Sequence, residues 1–186
     1  MPDEAKLEDT DAGRVATGDG WFVLNARDAR WRHAEDRPAF CDLEGEQSFS
    51  QLGININVLA PGQPLCRYHW EADQEDFLVL AGEAVLIVEE EERPLRQWDF
   101  VHCPPGTKHV LVGAGSGPAV ILAVGARIDS VDNPDWGAYP VSEAAARYGA
   151  SVDEATTLPE EAYAAWTKRQ PTRYREGWLP DASEAK

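Results

Sequence analysis

Residues 66–82 read CRYHWEADQEDFLVLAG, and residues 103–109 read CPPGTKH. These two stretches, together with His102 directly before the second, hold three of the four histidines of the chain. The first stretch also carries several carboxylates. Imidazole nitrogens and carboxylate oxygens are ligands that divalent transition metals take from proteins. Their concentration in one part of the chain predicts a metal-binding pocket there.

Short apolar segments separated by proline and glycine surround these stretches. The clearest covers residues 52–58, where alternating apolar side chains share one face that we expect to be buried: Leu52, Ile54, Ile56 and Val58. Further strands are predicted at residues 65–71, 76–80, 84–89, 94–103, 108–112 and 119–126. Because no helical segment separates them, the pattern predicts a mainly β fold, an antiparallel sandwich or barrel over residues 21–130. The four glutamates at 89–92 lie between two strands and are predicted to form an exposed hairpin tip.

The two ends of the chain differ from the middle in composition. Residues 1–20 are acidic and poor in apolar side chains, which predicts a mobile tail. Residues 131–186 are rich in alanine and predict a helical C-terminal extension, with one helix capped by Ser142 and stopped by Gly149, and a second preceded by a capping box at residues 157–160. On the second helix, Tyr163 and Trp166 predict an aromatic face that docks either on the same barrel or on a partner subunit.

Composition restricts the possible partners. The chain has 186 residues and a formal net charge of −16, which disfavours binding to nucleic acids and to anionic membrane surfaces. No apolar run is long enough to span a bilayer, and the first residues do not resemble a signal peptide. The three cysteines do not form an even disulfide framework. We therefore expect a cytoplasmic protein that acts on a small molecule.

Strand geometry predicts how the candidate ligands meet. His69 and Glu71 are two positions apart, so in a strand both point to one face. If Glu75 begins the next antiparallel strand, its carboxylate faces the same point, and His109 approaches from across the barrel. The expected cofactor is one divalent transition metal (Fe, Mn, Ni, Co or Zn), held by His69, Glu71, Glu75 and His109 with open coordination positions. In the alternative, each histidine is an ordinary hydrogen-bonded residue, but unpaired carboxylates inside a barrel would then be strongly destabilising.

Two segments resemble the two sequence motifs of the cupins, a superfamily of small β-barrels. In the first motif, Glu75 and Gly82 keep the Glu-x6-Gly spacing, and Glu71 stands where the family has the second histidine of His-x-His. In the second motif, the centre Pro-x-Gly-x2-His is intact and ends at His109, while Trp98 replaces the leading glycine. The resemblance covers residues 49–126 and implies a double-stranded β-helix, or jelly-roll, barrel that forms a homodimer.

Three further residues lie close to the expected site. His102 and Cys103 are neighbours in a predicted strand and must face opposite ways, so at most one of them points into the barrel. His102 is therefore either a supporting residue beside the metal or an ordinary strand residue, and the sequence leaves this open. Cys66 has the opposite parity to His69 and is predicted to be a buried or semi-buried structural thiol rather than a ligand.

The expected ligand set is compatible with two classes of function. One is a metal-dependent enzyme, most simply a dioxygenase-like enzyme acting on a small organic molecule at the open positions. In a variant of this class, Glu71 or Glu75 is the catalytic base of an isomerase or lyase. The other class is a barrel that holds a metal or a small ligand without turnover. The fold supports both classes, and the residues alone do not separate them.

Overall fold

The computed structural model describes residues 2–128, 133 and 135–181. Within these residues the chain forms fourteen strands and two one-turn helices. The strands are β1 (Lys6–Thr10), β2 (Gly13–Thr17), β3 (Arg30–Ala34), β4 (Arg37–Asp42), β5 (Leu52–Leu59), β6 (Trp70–Glu71), β7 (Glu75–Ala81), β8 (Glu83–Val88), β9 (Glu91–Arg96), β10 (Phe100–Cys103), β11 (His109–Ala114), β12 (Ala119–Ala126), β13 (Gly137–Ala138) and β14 (Gln170–Thr172), and the helices are α1 (Glu143–Ala146) and α2 (Pro159–Ala162). None of the helices in this part of the chain has the length and apolar content needed to cross a membrane.

Two antiparallel sheets form the barrel. One has seven strands in the order β10-β7-β12-β5-β4-β3-β14, and the other has three in the order β11-β8-β9. Their inner faces share one apolar core, to which the larger sheet contributes Leu59, Phe77, Val79 and Ile121 and the smaller sheet Leu86 and Leu111. Alternation of inward and outward side chains along each strand lets both sheets bury one face in this way. The mainly β, antiparallel barrel predicted from the sequence is confirmed.

The sequence did not predict β3 and β4, because residues 30–42 carry charges where an alternating apolar pattern would be expected. The structure neutralises those charges across the strand pair. Arg30 and Arg32 both donate to Asp42 Oδ2, at 2.8 and 3.2 Å. Between them, Trp31 lies opposite Cys41, and both side chains are fully buried. One face of these two strands therefore carries paired charges, and the other face is buried.

β5 is a strand where predicted, but the prediction of its buried face was only partly correct. Val58 is buried and Ile56 packs with Trp31 in a second apolar cluster outside the main core, whereas Leu52 is 38% exposed. On the opposite face, Asn57 is only 2% exposed and lines a cavity inside the barrel. The usual arrangement of polar and apolar faces is inverted here, because other segments cover the outer face of the sheet.

The C-terminal extension is less helical than predicted. Each helix has only four residues, and β14 joins the edge of the large sheet beside β3. After β14, Tyr174 and Trp178 pack on Trp31, with ring centroids 5.9 and 4.9 Å away. Burial of aromatic surface against the barrel, rather than helix propensity, organises this segment. Residues 131, 132, 134 and 182–186 of the predicted extension lie outside the described residues.

The predicted helix caps had different outcomes. Ser142 caps α1 as predicted, since its hydroxyl accepts a hydrogen bond from Ala145 N at 3.0 Å. Gly149 adopts a φ of +66° and follows the end of this helical segment. The prediction of a capping box at residues 157–160 was wrong, because Leu158 is the N-cap of α2 and makes no side-chain cap bond.

The aromatic pair of the second helical segment docks on its own chain. The hydroxyl of Tyr163 accepts a hydrogen bond from the backbone N–H of Arg67 at 3.1 Å. The guanidinium of Arg67 lies 4.6 Å from the ring centroid of Trp166 and donates to the carbonyl of Ala162 at 3.0 Å. Of the two alternatives that the sequence left open, the structure therefore has docking within the same subunit.

The N-terminal segment has more regular structure than predicted. Residues 1–20 were expected to form a tail, but β1 and β2 pair as a hairpin from Lys6 and Thr17 to Thr10 and Gly13. Val15 is buried on the second strand. This prediction was wrong because a few apolar side chains and a full set of backbone bonds are enough when a hairpin packs against a larger body.

The predicted hairpin tip at residues 89–92 is confirmed and has an additional role. Glu89 and Glu90 form the turn between β8 and β9, with φ of +46° and +69°. Glu90 accepts a hydrogen bond from the backbone of Ala144 in α1 at 3.3 Å. Glu92 pairs with Arg147, just after α1, at 2.6 Å. The acidic tip therefore holds the first helix against the barrel.

Candidate metal centre

Backbone pairing brings His69 and His109 side by side. The His69 N–H donates to the His109 carbonyl at 3.2 Å, and the His109 N–H donates to the His69 carbonyl at 2.8 Å. Residues that exchange both hydrogen bonds in an antiparallel pair hold their side chains on the same face. The two ring centroids are 5.0 Å apart, and both residues are buried.

Each ring is oriented by a second bond to the backbone. Nδ1 of His69 lies 2.9 Å from the carbonyl oxygen of Arg67, and Nδ1 of His109 lies 2.9 Å from that of Thr107. Because a carbonyl only accepts, Nδ1 carries a proton in both rings. The Nε2 atoms, which face the barrel interior, are then available to bind. Metal-binding histidines are commonly oriented through the other ring nitrogen in this way.

Glu75 completes the group from β7. Its Oε2 atom lies 3.2 Å from Nε2 of His69 and 3.4 Å from Nε2 of His109. The ligand atoms of these three residues all lie within 4.8 Å of one another, which is close enough to surround a single ion. The structure therefore brings together three of the four predicted ligands. We refer to His69, Glu75 and His109 as the ligand group.

The ligand group is electrostatically incomplete by itself. Glu75 Oε2 and His109 Nε2 are buried and have no hydrogen-bond partner among the described residues. Since Nδ1 carries the proton, Nε2 of a neutral imidazole presents a lone pair, so two nitrogens and one carboxylate oxygen direct lone pairs at a common point. Because the site is buried, this convergence of lone pairs is unfavourable unless a positive charge lies between the three ligand atoms. The residues therefore fit a divalent transition metal with mixed N and O ligands.

The same charges shift the pKa values of the ligand group. Burial opposes the charge on His69, but Cys66, Glu71 and Glu75 outweigh burial and raise the pKa of His69 well above its usual value. Burial also opposes the charge on Glu75, but the two histidines outweigh it and lower the pKa of this carboxyl. Burial and the nearby His69 lower the pKa of His109. A raised pKa of His69 beside a lowered pKa of Glu75 is the direction expected when an imidazolium and a carboxylate attract each other.

Glu71, the fourth predicted ligand, lies at the edge of the ligand group. Its Oε1 atom is 3.6 Å from Nε2 of His69, but Glu71 does not belong to the set whose ligand atoms are all mutually close. The shared face predicted for His69 and Glu71 is distorted because His69 pairs with His109 while Glu71 pairs with Gly137 in β13. The Glu71 side chain is 23% exposed and lines the cavity next to the ligand group.

His102 lies on the outer face of the barrel. In the pairing of β10 with β7, His102 is opposite Asp76 and Cys103 is opposite Glu75. Nδ1 of His102 lies 2.7 Å from Oδ1 of Asp76, and the His102 side chain is half exposed. Cys103 is buried in the main core. Of the two residues, Cys103 is therefore the one that points inward, and the position of His102 does not support a role beside the metal.

Cys66 lies against the ligand group, although its parity predicted the opposite. Its Sγ atom is 3.6 Å from Nδ1 of His69, and Cys66 lines the same cavity. The parity argument failed because β6 begins only at Trp70. The preceding residues follow an irregular path, so alternation does not apply to them.

A cavity of about 300 Å³ opens onto the ligand group. Glu71, Glu75 and Phe77 lie on its wall, and several further lining residues were missed by sequence reasoning: Arg37, Phe40, Asn57, Tyr139, Tyr163 and Arg169. They come from β4, β5 and the C-terminal segment, so no local motif contains them. One usable signal was present, because the Asn55-x-Asn57 alternation places two amides on one face of an otherwise apolar strand.

Two tyrosines enclose the cavity next to the histidines. The ring of Tyr139 stacks on that of His69 with centroids 5.9 Å apart, and Tyr163 meets Tyr139 edge to face at 5.6 Å. Burial raises the pKa of Tyr139 and raises that of Tyr163 to about 12. Both hydroxyls therefore remain protonated at neutral pH.

The chain is similar to known proteins both in sequence and in fold. Residues 55–125 match the family model for the cupin domain. The chain is similar to a sugar phosphate isomerase of the cupin superfamily from Silicibacter pomeroyi, at 30% identity over 50% of this chain and 62% of that chain, with a TM-score of 0.46. It is also similar to a predicted oxalate decarboxylase from Thermotoga maritima, at 18% identity over 57% of this chain and 100% of that chain, with a TM-score of 0.50. The comparison with curated proteins gave no match.

A third solved structure is also similar to this chain. It is an RmlC-like cupin family protein with a double-stranded β-helix fold from Methanocaldococcus jannaschii, at 17% identity over 52% of this chain and 87% of that chain, with a TM-score of 0.43. The residues matched by the family model run from β5 to β12 and include all four ligands predicted from the sequence. Residues 55–125 of this chain therefore match the cupin domain.

Proposed function

We propose that the protein is a divalent-metal-dependent enzyme that acts on a small organic molecule, with dioxygenase-like chemistry as the first candidate. The observation that carries the proposal is the convergence of His69, Glu75 and His109 on one buried point where Glu75 Oε2 and His109 Nε2 have no described partner. Two histidines and one carboxylate with open positions are typical of non-haem iron(II) oxygenases. An iron(II) ion held by His69, Glu75 and His109 would supply the chemistry for activating dioxygen next to a bound substrate.

The chain's own residues supply binding, orientation and proton handling. The ligand group is held rigidly, because the backbone pairing of His69 with His109 and the two Nδ1 bonds leave little freedom to the rings. Phe77 and Tyr139 cover the histidines with aromatic surface and limit the access of water. Glu71 faces the same cavity and can hold or accept a proton from a bound substrate.

An isomerase or lyase is the second candidate, and the position of Glu71 favours it. A carboxylate that lies near the metal ligands without belonging to their mutually close set is placed to act as a general base on a substrate polarised by the metal. This chemistry needs no dioxygen. A barrel that binds metal or ligand without turnover is the remaining alternative.

The test begins with metal analysis of protein purified without chelator, followed by removal of the metal and reloading with Fe(II), Mn, Ni, Co or Zn one at a time. Each form is incubated with a panel of small organic acids and sugars while oxygen consumption and product masses are measured. Metal-dependent oxygen consumption with an oxidised product, lost in Glu75→Ala, supports the first candidate. Metal-dependent conversion without oxygen consumption supports the second. Stoichiometric metal with saturable binding and no product identifies a binding barrel, and failure of every metal to bind overturns the proposal.

A cytoplasmic location and a homodimer remain predictions. The three cysteines are free, which agrees with a reducing compartment. Light scattering on the purified protein measures the number of subunits, and fractionation of the source cells tests the location.

A further inference from the structure

The cavity beside the ligand group also contains two arginines. Arg37 is the first residue of β4, Arg169 directly precedes β14, and both line the cavity. Arg37 Nε and Arg169 Nη2 are buried and have no hydrogen-bond partner among the described residues. Neither guanidinium has an ion pair within that part of the chain. Two cationic side chains, each with one buried and unpartnered nitrogen, therefore line one small space.

Other contacts position these arginines without neutralising them. A bond from Arg169 Nε to a backbone carbonyl at 2.9 Å and a ring contact with Phe40 at 5.6 Å hold one guanidinium. The other, that of Arg37, lies 5.1 Å from the ring centroids of both Tyr163 and Trp166. Burial and the neighbouring Arg37 lower the pKa of Arg169 to about 10. A lowered pKa is the direction expected when burial and a like charge outweigh the nearby carboxylate of Asp36, which acts in the opposite direction.

A buried cation without a partner is strongly unfavourable, and an anion that accepts its free N–H groups removes the penalty. The planar guanidinium matches the oxygens of carboxylates and phosphates. We infer that Arg37 and Arg169 form an anion subsite, and that the substrate is a small molecule with a carboxylate or phosphate group bound there. The inference about the anion stands on the arginines alone, and only the identification of that anion as the substrate rests on the proposed function.

The dimensions of the cavity indicate where the reacting part of this molecule lies. Glu75 on β7 and Arg37 on β4 are separated by β12 and β5, which is about 14 Å along the sheet before the side chains reach inward. Asn57 of β5 and Ala123 of β12 lie between them on the cavity wall. A volume of about 300 Å³ is at the small end for ligand sites. The substrate is therefore a small acid whose charged group and metal-binding group are at opposite ends.

A basic groove next to the cavity supports the same inference. Arg37 and Arg169 also line this groove of about 560 Å³, whose wall has six basic and three acidic residues. Two of the basic residues, Arg30 and Arg32, share Asp42 as their partner. An excess of positive charge at this place contrasts with the net charge of −16 of the whole chain. Such a patch attracts anions towards the cavity.

The test is isothermal titration of the full chain, metal-loaded and metal-free, with succinate and glycerol 3-phosphate as anionic probes. Succinamide and glycerol are the matched neutral probes. We expect one anion to bind and its affinity to fall at least about tenfold in Arg37→Gln and in Arg169→Gln, because each substitution removes a charged hydrogen-bond donor. Arg93→Gln is the control, since Arg93 is exposed on β9 and lines neither the groove nor the cavity, and this variant should bind as the unaltered protein does. The two anions distinguish a carboxylate from a phosphate substrate.

Salt dependence on the unaltered protein gives a second measurement that does not depend on the variants folding. Binding of the anion should weaken as ionic strength rises. Equal binding of the neutral probes, unchanged binding in both arginine variants, or no binding of either anion would overturn the inference. Anion binding through the arginines in a protein that never holds metal would support the subsite while contradicting the proposed enzyme. Metal-dependent turnover that is unchanged in both arginine variants would support the proposed enzyme and contradict the anion subsite.

Discussion

Glu75 and Asp76 are adjacent on β7, yet their carboxylates meet histidines on opposite faces of the sheet. Glu75 Oε2 lies 3.4 Å from His109 inside the barrel, and Asp76 Oδ1 lies 2.7 Å from His102 outside it. The difference follows from strand alternation alone. The inner face is buried, whereas the outer face is in contact with solvent. The two pairs therefore make a matched comparison between the candidate metal-binding group and an ordinary surface ion pair.

This comparison gives the first prediction. His109→Ala and Glu75→Ala should each lose the metal, with affinity falling by at least about 100-fold, since removal of a direct ligand is more severe than loss of an outer contact. His102→Ala should retain the metal of the unaltered protein. The measurement is elemental analysis by inductively coupled plasma mass spectrometry on chelator-free protein. Equal metal content in all three variants would rule out the ligand group.

Glu71 provides the second prediction. In Glu71→Gln we expect the metal to stay, because Glu71 is not part of the mutually close ligand group. We expect turnover to fall by about 10²–10⁴-fold, the usual contribution of a general acid or base, with kcat affected more than KM. Asp76→Asn, a carboxylate on the outer face, is the control. Loss of metal in Glu71→Gln would instead support the set of four ligands expected from the sequence.

The sequence was informative where chemistry and local geometry lie close together in the chain. The Glu75-x6-Gly82 spacing and the turn before His109 identified the ligand group, and the Ser142 cap followed from helix chemistry within a few residues. Arg37 and Arg169 were missed because they meet only after β4 and the segment before β14 have folded onto the same barrel. A pattern within a few neighbouring residues does not predict a contact between residues as far apart in the sequence as Arg37 and Arg169.

The buried face of β5 shows a second limit of sequence reasoning. Alternation correctly predicted that Ile56 and Val58 share a face, but it could not predict that Trp31 and the C-terminal segment would cover that face from outside. Nor could it predict that the amide face of Asn57 would border an internal cavity. Period two identifies which residues lie together, whereas the rest of the fold decides which face points inward.

The third prediction concerns thiol reactivity. Cys41 and Cys103 are buried; burial raises the pKa of the Cys41 thiol to about 12, and burial together with Glu75 raises that of Cys103 to about 12. A raised pKa keeps the unreactive thiol form as pH rises from neutral to mildly alkaline. We expect Ellman's reagent to modify at most one thiol per native chain, at Cys66, which lines the cavity. All three should react in denaturant.

Two controls sharpen the thiol measurement. Cys66→Ser should reduce native labelling almost to zero without changing labelling in denaturant. Loading the metal should slow the labelling of Cys66, because its Sγ lies 3.6 Å from Nδ1 of His69. Rapid native modification of Cys103 would contradict the assignment of this residue to the barrel core.

The fourth prediction concerns Trp98, which occupies the position of a motif glycine. Trp98 has a φ of +75°, is 66% exposed, and donates from its backbone N–H to the carbonyl of Val79 at 2.8 Å. The left-handed conformation is unfavourable by roughly 1–2 kcal/mol for a residue with a Cβ, and an exposed side chain regains little of this by packing. Trp98→Gly should remove that strain, while the greater freedom of glycine in the unfolded chain offsets part of the gain. We expect the free energy of unfolding in urea to rise by up to about 1 kcal/mol. Trp98→Ala keeps the Cβ and should show no such rise, so equal stability of the two variants would show that the conformation at this position stores no strain.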